Sequence, residues 1–506
     1  MNKKLIFAIS IVLLTQVFLY LAGVSFAGKE FVFGGIIFNP IDGNSYLAKM
    51  QEGWSGSWKF TLPYTADPGE PRYLFLFYIF LGHLSRWMRI SPVLLINFVR
   101  TITSVFMLAS LWKFFQIQFS GDQVKTWQAF LLAVFGSGLG WLVILCGGFT
   151  SDFWLAEAYP FLSLTANPHF PLGIGLLLWI FILRFENLKA REGIVLASLS
   201  FLLAIVLPFG IVVILLVEGI CLVWDWFRKE EVLWRRLIWL IFGGCPVLFY
   251  QIWITRVDAQ LAVWNNQNLT PAPALWDTVI SFSPAILLAI WALFSFIRFS
   301  EIHDHKIIVA WACISLFLSY FPFSLQRRFE IGLYIPIAAL AILALNYILT
   351  RKSRWVWLAM FMLSLPTNLI IILSEYHGLL THDPLLYLTR NEYDAMVWVK
   401  ESTTEGSLIL CAPETGMYIP AYTGRRVIYG HPFETVHAEI EKSNVDNFFS
   451  DNWNLEKESD FIKSRNINYV FYGPRERELG YPEILKTLNV IYANSEVIIY
   501  SIESAR

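Results

Sequence analysis

Charge is what this chain has least of. Of its 506 residues only 15% are Asp, Glu, Lys or Arg, against roughly 25% in soluble domains, and that deficit excludes an ordinary cytosolic enzyme, a disordered chain and a coiled coil. Cysteine is scarce as well. The sequence has five, without a CxxC pair, and four of them (Cys146, Cys221, Cys245, Cys313) lie in apolar runs, with Cys411 alone near the C-terminal end. Neither a disulfide framework nor a cysteine-based metal site is supported. No dense basic stripe occurs outside the flanks of the apolar runs, so a nucleic acid is not an expected partner. No Gly-rich fingerprint follows a strand in the polar tail, which leaves nucleotide cofactor binding there unsupported.

What the chain has is apolar sequence. Hydrophobic residues make up 56%, with 21 Trp and 42 Phe, and the mean hydropathy is +0.54, the composition of a multi-pass membrane protein with aromatic anchors at the interfaces. Lys3 and Lys4 precede an apolar run from Leu5 to Ala27 long enough to span; a cleaved signal peptide ending at Ser25-Phe26-Ala27 is the alternative. Further runs lie near 72–88, 92–112, 127–147, 172–184, 194–224, 236–255, 279–298, 307–322, 332–350 and 355–374. The run 194–224 is long for one span and contains Pro208; 127–147 is broken by Gly136-Ser137-Gly138 and Gly140. The fold expected is a polytopic α-helical membrane protein of about 11–13 spans. The N-terminus is cytoplasmic, and so are Arg86 and Arg89, Arg228-Lys229, Arg235-Arg236, Arg298 with Lys306, and Arg351-Lys352 with Arg354. That places the loop 28–71 and the C-terminal tail outside, in the plasma membrane of a prokaryote. The parity of the spans puts 149–171 inside, unless 127–147 is split or re-entrant.

Net charge divides at residue 382. Residues 1–381 form the mildly basic membrane body; from His382 onward there are 12 Lys+Arg and 19 Asp+Glu, and the pattern becomes that of a small soluble α/β domain over 382–506. Helices are expected at 392–401, 434–449 and 456–465, strands at Ser407–Cys411, Arg426–Gly430 and Tyr469–Tyr472, and a hairpin over 490–502 around Asn494-Ser495.

The most informative stretch is the outer loop from Phe38 to Gly53. Asp42 stands at the start of a short helix lying on the membrane, with Trp54, Trp58 and Phe60 as anchors after it. A carboxylate at the rim of an apolar cavity could take the proton of a hydroxyl; the structural alternative is a helix N-cap. Asn44, Tyr46 and Lys49, on the same helix, are candidate substrate contacts. A basic N-terminus, one span, and then an acidic residue leading into a juxtamembrane Tyr-containing helix resembles the GT-C superfamily of membrane glycosyltransferases. That superfamily includes protein O-mannosyltransferases, aminoarabinose transferases and the catalytic subunit of oligosaccharyltransferase. The resemblance covers the whole layout, including an outer soluble C-terminal domain, and makes Asp42 the matching catalytic Asp, acting as the base. Where many O-mannosyltransferases carry Asp-Glu, this chain has Asp42-Gly43.

Two further sets carry candidate chemistry. In 149–171, Asp152, Glu157, Asn167 and His169 are polar residues between apolar runs. Glu157 is placed to hold a metal or an acceptor hydroxyl and His169 to donate to a phosphate oxygen; the alternative is an interfacial loop in which Asn167-Pro168 caps the next helix. This stretch has no DxD or ExD, so a divalent metal stays open without assigned ligands. Arg327-Arg328, outside against the positive-inside bias, suit a lipid-linked phosphate through paired donors, with an ion pair to Glu330 or contact with anionic lipid as the alternative. Arg100, inside an apolar run, reads as structural, and His303-Asp304-His305 as a solvated turn. In the tail, Tyr418, Arg425-Arg426, His431 and Glu434 gather where they could bind an acceptor or shape the site. The resemblance implies transfer of a sugar, with inversion, from a polyprenyl-phosphate-linked donor to a hydroxyl of a glycan, lipid or protein on the extracytoplasmic side. The rivals are a transporter or flippase of lipid-linked saccharide and a non-catalytic membrane scaffold.

Overall fold

The computed structural model describes residues 3–184, 188–230, 234–299, 305–348, 353–450 and 452–502. Arg351, Lys352, His303 and Asp304, and the side chain of Arg298, lie outside the described residues. The chain divides into two units by its internal contacts, one built from Met1–Phe18, Phe98–Tyr250 and Leu269–Tyr376, the other from Leu19–Asn97, Gln251–Asn268 and His377–Arg506. The second unit thus joins the segment after the first apolar helix to the tail, a different division from a boundary at residue 382.

Among the described residues six helices are long and apolar enough to cross a membrane: Lys3–Ala27, Pro92–Gln118, Gln123–Ile144, Pro208–Phe227, Trp234–Val257 and Arg354–Leu380. The pair Leu275–Phe282 and Ala285–Ser295, bent by 95°, adds a seventh if it is one broken span. His169–Ile182, Lys306–Ser319 and Tyr334–Leu345 are apolar but shorter; a helix of 14 residues reaches only about 21 Å at 1.5 Å per residue, against a hydrocarbon core of about 30 Å. The expectation of 11–13 spans included such short runs. The long run over 194–224 splits at Pro208, which opens the second helix at N1, where its missing N–H has no helical partner to lose. The Gly-rich break in 127–147 is a packing feature of the first unit: a Cβ on Gly138 would stand 2.0 Å from the Ser281 carbonyl oxygen, and one on Gly140 2.1 Å from Asp152 Oδ1.

In the second unit a five-stranded sheet has the order β4-β3-β5-β7-β6. Its strands are β3 (Leu408–Leu410), β4 (Arg426–Val427), β5 (Tyr469–Tyr472), β6 (Asn489–Ala493) and β7 (Ile498–Ser501). β3 runs parallel to β4 and β5, and the β6–β7 hairpin adds antiparallel to β5. Both faces are covered, which is why these strands read as continuous apolar runs. Leu408, Leu410 and Val470 enter one core with Phe448 and Phe449; Ile409, Cys411 and Phe471 enter the other with Met396, Val399 and Tyr64. A two-stranded ladder pairs β1 (Phe31–Phe33) with β2 (Tyr387–Thr389), fastening the start of the outer loop to the start of the tail.

One expected span is not among the helices long and apolar enough to cross a membrane. The run at 72–88 forms the 13-residue helix Leu76–Met88, too short to cross, and it lies against the helix Pro40–Ser55 at backbone contact. A Cβ on Gly53 would meet the Ile79 carbonyl oxygen at 2.0 Å, and one on Gly82 the Met50 carbonyl oxygen at 2.0 Å. Arg86, read from sequence as a cytoplasmic turn residue, instead lines a cavity with Lys400 and Arg425 of the tail. Gly82→Ala is expected to destabilise this unit by about 1–3 kcal/mol, because two helix backbones must part to admit the methyl. Thermal unfolding of the detergent-solubilised chain checks it, and an unchanged midpoint would mean that the crossing is not close-packed.

Candidate active site

The helix Pro40–Ser55 begins on a turn that fixes Asp42. Asn39 adopts a left-handed conformation (φ 50°), and Pro40 follows at the first helical position. The Asn39 carbonyl side-chain oxygen accepts from the Asp42 backbone N–H at 3.4 Å, and its Nδ2 donates to Asp42 Oδ2 at 2.6 Å. Capping therefore falls on Asn39 rather than on Asp42, which is left with a carboxylate that is 43% exposed.

The other carboxylate oxygen meets the tail. His431 Nε2 lies 3.0 Å from Asp42 Oδ1. His431 Nδ1 accepts the backbone N–H groups of Phe433 and Glu434, both at 3.1 Å. A nitrogen that accepts carries no hydrogen, so the ring hydrogen is on Nε2 and is donated to Asp42. The imidazole is enclosed, at 2% exposure, so its orientation is fixed by packing as well as by three bonds.

Behind this pair is a buried ion pair. The Lys49 ammonium, wholly enclosed, donates to Glu434 Oε1 at 2.6 Å and Oε2 at 2.9 Å and to Ser45 Oγ at 3.0 Å, while Ser45 itself donates to Glu434 Oε1 at 2.8 Å. The rings of Phe75 and Tyr46 lie 4.4 Å and 4.8 Å from Nζ. Burial works to raise the Glu434 carboxyl, but the Lys49 and His431 neighbours outweigh it and hold it below the usual carboxylate range. The Tyr64 ring stands 5.9 Å from that of His431. Its hydroxyl is buried without a hydrogen-bond partner, and burial, with the Glu434 and Asp42 charges nearby, pushes the phenol well above its ordinary value.

Asn44, Tyr46 and Lys49 face away from bulk water to different degrees. Asn44 is buried, with Nδ2 donating to the Pro40 carbonyl at 2.9 Å; Tyr46 is half-buried and stacked on Tyr78, centroids 4.2 Å apart. Lys49 spends its charge on Glu434. Sequence reasoning had His431 and Glu434 only as members of a tail stretch, and no spacing in the chain links them to Asp42. The helix start was legible at Asp42, but with Asp42 as its cap, whereas the cap is Asn39.

In the first unit, the 149–171 stretch meets the arginines. Arg328 Nη1 lies 3.1 Å and Arg327 Nε 3.9 Å from Glu157 Oε1, and the Arg327 guanidinium lies over the Trp154 ring at 5.1 Å. Glu157, itself 6% exposed, is therefore the ion-pair partner of the arginines, where the alternative weighed from sequence was Glu330. Gly332 N–H donates to the Glu157 carbonyl at 2.8 Å, tying the two segments together. His169 opens the helix His169–Ile182 and is buried against Phe170, ring centroids 4.0 Å apart. Asp152 is enclosed and accepts from Thr150 and Thr367 hydroxyls at 2.7 Å and 3.0 Å and from the Gly140 N–H at 3.1 Å, a structural clamp. Arg100 donates to the Thr165 carbonyl at 3.0 Å.

No group of three or more His, Cys, Asp or Glu is gathered as a metal site among the described residues. The donor set at Asp42 does not suit one: the His431 nitrogen facing it bears a hydrogen and so offers no lone pair to a cation.

No family model matches the sequence, and no characterised protein aligns with it significantly. The fold is nevertheless shared with solved membrane glycosyltransferases of GT-C type. The chain superposes on the oligosaccharyltransferase of Archaeoglobus fulgidus carrying a tethered acceptor peptide, at a TM-score of 0.54 and 13% identity, over 97% of this chain and 74% of that one. It superposes on ArnT from Cupriavidus metallidurans in the apo state at 0.50 and 11%, over 98% of both chains. The archaeal oligosaccharyltransferase AglB from A. fulgidus, in complex with an inhibitory peptide and a dolichol-phosphate, gives 0.50 and 13%, over 91% and 69%. A zinc- and sulfate-bound form of the A. fulgidus enzyme matches at 0.51 and 14%, over 91% and 68%. The architecture is thus that of the GT-C enzymes: apolar helices and a C-terminal domain containing a sheet.

Proposed function

We propose that the chain transfers a sugar, with inversion, from a polyprenyl-phosphate-linked donor to an acceptor hydroxyl on the extracytoplasmic face of the membrane. The observation that carries this reading is the half-exposed Asp42 carboxylate, oriented by Asn39 on one oxygen and by the His431 Nε2–H on the other. It is supported by the GT-C fold and by dolichol-phosphate in the AglB complex. Asp42 takes the proton of the acceptor hydroxyl; the oxygen forms a bond to the anomeric carbon, and the bond from that carbon to the phosphate oxygen breaks on the opposite face. Arg327 and Arg328 take up the charge that develops on the departing polyprenyl phosphate, a role worth about 3–4 kcal/mol for one preorganised donor. Glu157 positions those guanidiniums, and His169 remains a candidate donor to the phosphate. Asn44, Tyr46 and Lys49 shape the acceptor side, Lys49 by positioning Glu434 and with it the His431 turn.

In this reading Leu76–Met88, packed backbone to backbone on Pro40–Ser55, is not counted as a crossing while the shorter apolar helices are, which changes the parity by one and turns 149–171, with Glu157 and His169, to the extracytoplasmic face together with Arg327 and Arg328. The same reading keeps the N-terminus cytoplasmic and the tail outside.

The test is to supply proteoliposomes with a panel of radiolabelled polyprenyl-phosphate sugars and to follow donor consumption and release of free polyprenyl phosphate. Consumption of one donor is expected. Label that crosses the bilayer with its donor intact would make the protein a transporter of lipid-linked saccharide. Arg328→Ala is expected to slow transfer about 10²-fold, since the charge on the leaving phosphate loses a paired donor. Arg328→Lys should restore only part of that loss; equal rates for all three proteins would remove the donor-phosphate role.

A further inference from the structure

Away from Asp42, the second unit contains a cavity of about 630 Å³, within the ordinary range for small-ligand sites. It is bounded by one face of the helix Pro40–Ser55, the loop 61–71, Arg86 and the tail segments 400–406 and 420–426. Its walls carry four cations: Arg86, Lys400, Arg425 and Arg426. None of the four has a carboxylate within ion-pair distance among the described residues.

The two tail arginines are held by neutral groups. Arg425 donates to the carbonyls of Thr403 at 2.7 Å, Lys400 at 3.0 Å and Thr423 at 3.3 Å. Arg426 donates to those of Ala66 at 2.7 Å, Gly406 at 2.9 Å and Thr65 at 3.1 Å. Carbonyls satisfy the donors without neutralising the charge, and the nearest opposing charges, Glu405 for Arg425 and Asp67 for Arg426, form no ion pair with them. Lys400 has only a 3.5 Å contact with Gln51 Oε1 and a place 5.2 Å over the Trp54 ring, so its ammonium remains available. Burial lowers Lys400, Arg425 and Arg426 from their ordinary values, with Arg425 adding to the effect at Lys400; the carboxylates of Glu401, Glu405 and Asp67 oppose it from beyond ion-pair distance without overcoming it. Two acids also line the cavity, the exposed Glu405 and Glu52. Burial pushes the Glu52 carboxyl up to about 7, so near neutrality it opposes the four cations only in part.

We infer that this cavity binds an anionic saccharide, with Lys400 and Arg86 taking its acidic group and Trp54 and the surrounding prolines receiving a sugar face. The anion follows from four lining cations, none of them in an ion pair, against the two lining acids Glu52 and Glu405. The saccharide follows from the apolar lining residues Trp54, Pro63, Pro71 and Pro420 together with the glycosyl-transfer reading, on which this part rests; it assigns an acidic glycan as the acceptor class.

Equilibrium binding to the detergent-solubilised full chain tests it without requiring turnover. The probes are a short oligosaccharide of hexuronic acid, the matching neutral hexose oligosaccharide, and inorganic phosphate. The uronate is expected to bind about ten-fold or more tightly than the neutral sugar, with Lys400→Ala and Arg86→Ala each losing about ten-fold. Asp42→Asn should bind as wild type does. Glu405→Gln, which removes an opposing charge, should tighten binding, a direction that misfolding cannot imitate. Equal binding of neutral and acidic sugars, or no uronate binding at millimolar concentration, overturns the inference. Competition by phosphate as effective as the uronate overturns the saccharide assignment and leaves a simple anion site. If donors are turned over while uronate fails to bind, this inference falls alone; if uronate binds and no donor is consumed, the transfer reading falls and the cavity stands.

Discussion

Asp42→Asn is expected to lower sugar transfer by about 10³-fold in proteoliposomes while leaving thermal stability close to wild type. The two halves of that result come from different atoms. Asparagine keeps an oxygen that can accept the His431 Nε2–H at the position now 3.0 Å away, so the docking of His431 persists; the bond from Asn39 Nδ2 to the second carboxylate oxygen is lost, but the cap from the backbone N–H at 42 to Asn39 Oδ1 remains. What it cannot do is take a proton from an acceptor hydroxyl. His431→Ala should have the milder effect, about ten-fold on turnover, because the carboxylate remains but loses a partner that sets its direction. Rescue by His431→Gln, whose amide N–H can replace the ring N–H, separates positioning from general damage to the tail. Unimpaired transfer by Asp42→Asn would reduce Asp42 to a helix-opening residue and leave the base unassigned.

The parts of the structure legible in the sequence were those written in local pattern. Tyr469–Tyr472 was read at its observed limits, and the hairpin around Asn494-Ser495 corresponds to β6 and β7. The break at Pro208 followed from proline chemistry. The run at 72–88 misled because hydropathy measures apolarity, not its destination: Leu81 and Ile79 are buried against another helix, not against lipid. The helix Pro413–Thr423 was missed because Ala412-Pro413 reads equally well as the end of a strand and Pro420 lies inside it. At the site, Asp42 was accessible from its place after the first span, but its partners were not. Contact between Asp42 and His431 is set by the β1–β2 ladder and by Tyr64 entering the tail's core, and long-range pairing of that kind leaves no periodicity to read. The Glu157–Arg328 pair was hidden for the same reason, so both residues were named while their mutual neutralisation was not.

Lys49→Met should be the most damaging single change to the stability of the tail, about 3–5 kcal/mol near neutral pH, because it leaves the Glu434 carboxylate enclosed without its counter-ion. Methionine fills a similar volume among Tyr46, Phe60 and Phe75, so the loss is electrostatic more than steric. The dependence on pH fixes the cause. In the wild type the Glu434 carboxyl is held below its ordinary value, so the pair contributes stability that is complete above the unfolded carboxyl's value and is lost as pH falls through the folded one. Without Lys49, the burial that already opposes the charge dominates, and the folded chain prefers the protonated acid. The variant should then gain stability as pH is lowered from neutrality, and its deficit relative to wild type should shrink. Thermal midpoints of both proteins across the neutral to mildly acidic range measure this directly. Glu434→Gln strands the ammonium instead and should destabilise without that recovery, whereas Lys49→Met combined with Glu434→Leu should regain most of the loss. A deficit independent of pH would show that Lys49 acts through packing alone. In that case the His431 turn, and with it the direction of the Asp42 carboxylate, owes nothing to the buried charge behind it.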